Sequence, residues 1–165
     1  METKKVLTRD NTLTEELSAT IIKTHKGIRL EYKEVYYLDF AVDEDTGMIN
    51  KDVKEKHYTK NQMERNMKAL KNAYHIAKGA ASPDEIIFFR EKYKIAASTF
   101  SIILGFSKNT ITNIETEGIT SLSTGRLIKI CIEDKNVITR YVQLCDALDQ
   151  RKRDELSQRI MEEYA

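Results

Sequence analysis

Hydrophobic positions follow two different periods along the chain, and the change comes after His57. Before it, Ile28, Leu30 and Tyr32 alternate with polar residues, and Tyr36, Leu38, Phe40 and Val42 do the same. Alternation of this kind places one set of side chains on a single face of a strand. The stretch over residues 18–42 therefore predicts two or three antiparallel strands. The tetrapeptide Thr24-His25-Lys26-Gly27 reads as a turn within them, and the Asp-Glu-Asp-Thr-Gly run at residues 43–47 as the turn that ends them. Residues 1–17 show neither period and predict a flexible polar arm. After His57 the residues Met63, Met67, Leu70, Tyr74 and Ala77 recur at helical spacing and mark one face of a joining helix over residues 59–79. Thr59 is placed to cap it, and Gly79 to stop it.

From residue 82 onward every periodic stretch is helical. Ser82-Pro83-Asp84-Glu85 combines a capping serine, a proline at the first helical position and the glutamate of a capping box. Short helices follow over residues 82–136. Residues 137–165 then predict a single long amphipathic helix with a stripe of Ile138, Tyr141, Cys145, Leu148, Leu156 and Ile160. The stripe either closes the core of its own chain or pairs with a second copy. The charged run Asp-Gln-Arg-Lys-Arg-Asp-Glu at residues 149–155 interrupts it, so a short dimer contact is expected rather than a zipper. The fold class expected is α+β: a small antiparallel β region over residues 1–58, the joining helix, and an all-α domain.

Within that domain the stretch Ala-Ser-Thr-Phe-Ser-Ile-Ile-Leu-Gly-Phe-Ser-Lys-Asn-Thr-Ile-Thr-Asn-Ile-Glu, residues 97–115, has what two sharply crossed helices require. Phe100, Ile103 and Leu104 would face inward, Ser101 is the small residue at the contact, and Gly105 permits a left-handed turn. Phe106 would pack behind the turn, Ser107 would cap the next helix, and Ile111 and Ile114 would anchor it. That arrangement turns Lys108, Asn109, Thr112 and Asn113 outward. Lysine suits phosphate or guanine acceptors, asparagine can bond adenine through two hydrogen bonds, and threonine offers a hydroxyl and a methyl. A helix reading bases in the major groove is the economical explanation.

These residues resemble the helix-turn-helix of the Cro and phage-repressor (Xre-type) class over residues 86–132. More narrowly, Ser82–Ile95 followed by Ile103–Thr112 resembles the C-terminal half of MqsA-type antitoxins. The resemblance implies a lambda-repressor-like fold, an ion pair between Arg90 and Glu115, and a phosphate contact near Ala97 and Ser98. The DNA-contacting set it implies is Ser98, Ser107, Lys108, Asn109, Thr110, Thr112 and Asn113. It further implies a repressor bound as a homodimer to a pseudo-palindromic double-stranded operator, autoregulation of a toxin–antitoxin operon, and a toxin protein as partner. The chain departs from the class at two positions, with Ala97 where glutamine is usual and Glu117 where glycine is usual. It also lacks the cysteine-ligated zinc domain of MqsA-type proteins, having no cysteine before Cys131.

Composition narrows the remaining choices. The net charge of +1 rules out a polycation, and residues 83–118 carry four basic against five acidic side chains, so DNA affinity would rest on local placement. A helix-turn-helix also serves in some proteins as a protein-interaction module, which is the alternative reading. No Gly-rich phosphate loop, nucleophile elbow or carboxylate pair at catalytic spacing is present, so no enzyme and no cofactor are expected. No run approaches the roughly 18 apolar residues of a membrane span. With no signal-peptide core and two cysteines expected as buried thiols, Cys131 and Cys145, a cytoplasmic protein is expected. His25, His57 and His75 lie far apart and pair with no cysteine at ligand spacing. The strands are therefore expected to fold without metal: elemental analysis should find no stoichiometric zinc, and a chelator should leave the circular-dichroism spectrum unchanged. Unfolding by the chelator would overturn this expectation.

Overall fold

Antiparallel strands fill the chain up to His57, and helices fill it from Lys60, giving a mixed α+β protein. The computed structural model describes residues 3–162, and the chain divides into two compact units, residues 1–73 and 74–165.

In the first unit, β1 (Lys5–Leu7) and β2 (Leu13–Glu15) form a hairpin inside the segment expected to be a flexible arm. The turn between them is built from polar residues. Thr8 Oγ1 accepts from the Thr12 N–H at 3.2 Å, and Asn11 takes the left-handed conformation with φ 57°. Strands of three residues are too short to display a period, which is why pattern alone gives an arm here. A second sheet runs in the order β3 (Leu17–His25), β4 (Ile28–Val42), β5 (Ile49–His57), antiparallel throughout. Lys26 and Gly27 form the two-residue loop from β3 to β4, with φ of 48° and 77°. Positive φ at both positions gives the backbone twist that tight hairpins favour. The turn into β5 is fixed by Asp43, whose Oδ1 accepts from the N–H groups of Asp45 and Thr46 at 3.0 and 2.8 Å. Those bonds hold the Asp43 carboxyl below its ordinary value.

The long helix α1 (Lys60–Ala77) begins in this unit, and its inward face differs from the one its methionines suggest. Met63 and Met67 are 55% and 72% exposed, whereas Gln62 is fully buried. The reason is what the strands present to the helix. Asn66 Oδ1 accepts from the Val35 N–H at 2.8 Å, and its Nδ2 donates to the Val35 carbonyl at 2.9 Å. Glu16 receives two bonds from the Arg65 guanidinium and one from Gln62 Nε2 at 3.2 Å. The bonds from Arg65 hold its carboxyl below the usual range. Tyr58 donates to the buried Glu34, and burial pushes the Tyr58 hydroxyl up to about 12. Main-chain amides and carboxylates removed from water demand donors and acceptors, so polar side chains take the inner positions.

In the second unit, α2 (Pro83–Lys92), α3 (Ala97–Ile103), α4 (Thr110–Glu117), α5 (Leu122–Glu133), α6 (Lys135–Leu144) and α7 (Gln150–Met161) surround one core. Ser82 caps α2: its Oγ accepts from the Glu85 N–H at 3.1 Å, and Glu85 Oε2 accepts from the Ser82 N–H at 2.8 Å. Phe100, Ile86, Ile111 and Ile128 lie at the centre, together with Ile138, Val142 and Ile160 from the last two helices. The single long C-terminal helix expected from residue 137 is thus two helices. Asp149 Oδ1 accepts from the Lys152 N–H at 2.8 Å and starts the second one. The stripe of Ile138, Cys145, Leu156 and Ile160 is spent inside its own unit, with Tyr141 and Leu148 partly buried against it. Cys131 and Cys145 are free buried thiols, and burial pushes Cys131 up to about 11.

One close approach holds α5 in place. Gly125 lies against the segment before α2, with its carbonyl accepting from the Ala81 N–H at 2.9 Å. A methyl group there would meet Ala80 Cβ at 2.5 Å and Thr120 Oγ1 at 2.7 Å. Alanine in a helix interior gains up to about 1 kcal/mol over glycine, but overpacking costs about 1–3 kcal/mol, and the contact to backbone Ala80 Cα at 3.2 Å leaves little room for relaxation. Gly125→Ala should therefore lower the urea midpoint of unfolding. An unchanged or raised midpoint would show that α5 can shift freely.

Candidate nucleic-acid interface

Helices α3 and α4 are joined by a tight turn whose geometry follows from three residues. Leu104 ends α3, Gly105 takes φ 80°, and the Phe106 N–H returns to the Ser101 carbonyl at 2.9 Å. Phe106 is then half-buried against the core. The chain re-enters helix at Thr110, with Asn109 at the capping position.

Ser107, expected to cap α4, does not. Its Oγ lies 2.9 Å from Thr110 Oγ1, and the Asn109 side chain makes no capping bond either. The first turn of α4 is satisfied from the preceding helix instead. Ser101 Oγ, fully buried, accepts from the Ile111 N–H at 3.0 Å and donates to the Ala97 carbonyl at 2.9 Å. By pattern alone Ser101 is only a small residue at the helix contact. The polar signal was there, in a serine among Phe100, Ile103 and Leu104, where a buried hydroxyl needs partners.

Ile111 and Ile114 are 0% and 7% exposed, and between and beside them Lys108, Asn109, Thr112 and Asn113 all face solvent. Ser107 is exposed as well, while Thr110 and, at the start of α3, Ser98 are half-buried. The capping position of α3 is Ala96, with no side-chain bond to the helix. Thr110, Asn113 and Glu117 also line a shallow hollow of about 290 Å³ with Ser121 and Thr124. The exposed face of α4 and the two residues before it thus offer a cation, two carboxamides and hydroxyls, with Glu117 at the far end of the helix.

An ion pair braces this face from behind. Arg90 Nε donates to Glu115 Oε1 at 2.7 Å and Nη2 to Oε2 at 3.1 Å, while Nη1 reaches the Ile95 carbonyl at 3.2 Å. One guanidinium therefore ties α2, the loop before α3 and α4 together, and its bonds to Glu115 raise its pKa. Among the described residues no group of three or more His, Cys, Asp or Glu side chains is arranged to hold a metal, and no helix is long and apolar enough to cross a membrane. Comparison with models of known protein families, with curated proteins and with solved structures finds no match for the chain.

Both partners of the ion pair are about four-fifths shielded, with side chains 18% exposed. Removing one leaves the other short of partners, and hydrogen bonds to charged groups contribute about 1.5–3 kcal/mol each. Arg90→Ala should cost about 2–3 kcal/mol in chemical unfolding, with Arg90→Lys recovering only part of it because the fork geometry is lost. An Arg90→Ala protein as stable as the parent would mean that the pair is ornamental to the α2–α4 contact.

Proposed function

We propose that this protein is a sequence-specific DNA-binding regulator, most simply a repressor, in which α3 and α4 form a lambda-repressor-like helix-turn-helix and α4 reads bases. The observation that carries this reading is the division of α4. Two isoleucines are committed to the core and Glu115 to Arg90, while Thr110, Thr112, Asn113 and Thr116 carry hydroxyls or a carboxamide. A helix that served only to close the core would not need Asn113 and three threonine hydroxyls on its outer positions, continued by Lys108 and Asn109 just before it. Ser107 and Asn109 support the same reading, because Ser101 relieves their side chains of the capping role.

On this reading Asn109 and Asn113 bond base edges, Lys108 meets phosphate or guanine, and Thr110, Thr112, Ser107 and Ser98 fix the register against the sugar–phosphate backbone. One such module covers a half-site, so two copies would bind a pseudo-palindrome. The likeness of Ser82–Ile95 and Ile103–Thr112 to the C-terminal half of MqsA-type antitoxins supports autoregulation as the biological setting.

The test is a gel shift against the DNA upstream of the protein's own gene, repeated over a salt series. Asn109→Ala should cost about 1–3 kcal/mol at one base pair and relax specificity there. Lys108→Ala should weaken binding and, where it meets phosphate, lower the slope of log affinity against log salt by about 0.9. Parent-like binding by both variants would remove α4 as the reader.

A further inference from the structure

A groove of about 320 Å³ opens beside the start of α3, between the loop that precedes it and α7. Lys94, Lys152 and Arg159 line it, together with Thr99 and an apolar floor that includes Leu156. Glu155, which also lines the groove, is paired with Arg151, whose Nε donates to Glu155 Oε1 at 2.8 Å. Three cations thus share one concave surface where a single acid is already paired. Arg159 is held in place, with Nη1 donating to the Tyr93 carbonyl at 2.6 Å, so its remaining N–H groups are presented in a fixed fork.

Lys94 adds a separate indication. Its backbone has φ 54°, a left-handed conformation that glycine adopts without strain and that costs a lysine about 1 kcal/mol or more. The turn between α2 and α3 needs that conformation, with the Lys94 N–H bonded to the Glu91 carbonyl at 3.1 Å and the Ile95 N–H to the Arg90 carbonyl at 2.8 Å. A glycine would serve the turn better, and it would leave the groove one charge poorer. No other partner of the Lys94 side chain is needed to hold the turn.

We propose that this groove is a seat for a phosphate group, occupied in the working protein by a backbone phosphodiester of the bound duplex. The groove is large enough for a tetrahedral oxyanion with its water. Charge-assisted donors from a fork and two flexible ammoniums, with the Thr99 hydroxyl beside them, match its oxygens. The assignment of the source to DNA rests on the reading of α4 given above. The position fits that source, since the groove adjoins α3, which braces α4 through Ser101. In this arrangement α7 is a clamp on the DNA backbone as well as a core helix.

The test uses the full chain and two variants. Lys94→Gly removes a charge while relaxing the backbone, so its thermal stability should equal or exceed that of the parent. Lys152→Gln removes a charge from the surface of α7. Inorganic phosphate is titrated at constant ionic strength while the amide resonances of residues 94–99 and 152–159 are followed by NMR. A random-sequence duplex is titrated separately by fluorescence anisotropy over a salt series. The expected result is saturable phosphate shifts confined to the groove in the parent and lost in both variants. For the duplex, each variant should bind roughly three- to tenfold more weakly, with a salt slope smaller by about 0.9. Variants that keep the parent's duplex affinity and slope overturn the seat and leave DNA binding standing. A parent that binds phosphate in the groove but no duplex sustains the seat, overturns the reading of α4, and makes a free phosphate compound the source. Binding of neither overturns both.

Discussion

A single hydroxyl fixes the arrangement on which the exposed face of α4 depends. Ser101 spends both of its hydrogen-bonding capacities inside the protein, one on the carbonyl of Ala97 in its own helix and one on the N–H of Ile111 in the next. Without it the Ile111 N–H would be buried unpaired, at a cost of about 1–3 kcal/mol. The bond does more than satisfy a donor. It sets how closely α3 and α4 approach, because only a side chain as short as serine reaches across at 3.0 Å while fully shielded from water. It also supplies the cap from inside. The residues that would normally turn back to cap α4 are therefore left facing outward. Arg90 then fixes the other end of α4 through Glu115. The two contacts hold a short helix rigidly, although it contributes only two fully committed apolar side chains, Ile111 and Ile114.

The N-terminal unit follows the opposite logic. Its buried apolar side chains are few, with Leu30 and Tyr37 the most shielded, and Tyr37 stacks on His57 at 5.8 Å between ring centroids. Cohesion between helix and strands comes instead from directed polar contacts through Glu16, Glu34, Gln62, Arg65 and Asn66. Such contacts are unforgiving of register: a one-residue slip would leave each carboxylate without its partner. This gives a small sheet a unique packing where apolar area alone would specify it weakly.

The difference between the two units explains what could be read from the chain and what could not. The inward set of Phe100, Ile103, Leu104, Ile111 and Ile114 was legible because burial there is apolar and helical spacing records it directly. The strand from Ile28 to Val42 was legible for the same reason at the shorter period, whereas β5, exposed along nearly its whole length, was not, and the run 43–47 turns into it where the pattern ends the strands. In α1 the rule fails, because the buried position is Gln62, with Arg65 and Asn66 half-buried beside it, and a hydrophobicity pattern assigns the inner face to Met63 and Met67 instead. The β1–β2 hairpin was illegible because strands of three residues hold at most two alternations. The break at residues 145–149 was written in Asp149, a capping residue at the head of a helix, but apolar spacing resumes at Leu156, so the charged run reads as a gap within one helix. On α4 the outward residues were legible by exclusion, whereas the role of Ser101 depends on a partner ten positions away along the chain.

The contact between Asn66 and Val35 has a meaning for the protein in a crowded solution. A carboxamide that both accepts from and donates to one residue's main chain reproduces the pairing that an adjacent strand would provide. At that step β4 is already paired, by a side chain anchored on α1. A second polypeptide attempting to extend the sheet through Val35 would have to displace it before gaining any hydrogen bond of its own. The helix therefore closes β4 at Val35 to edge-to-edge pairing where β5 does not reach.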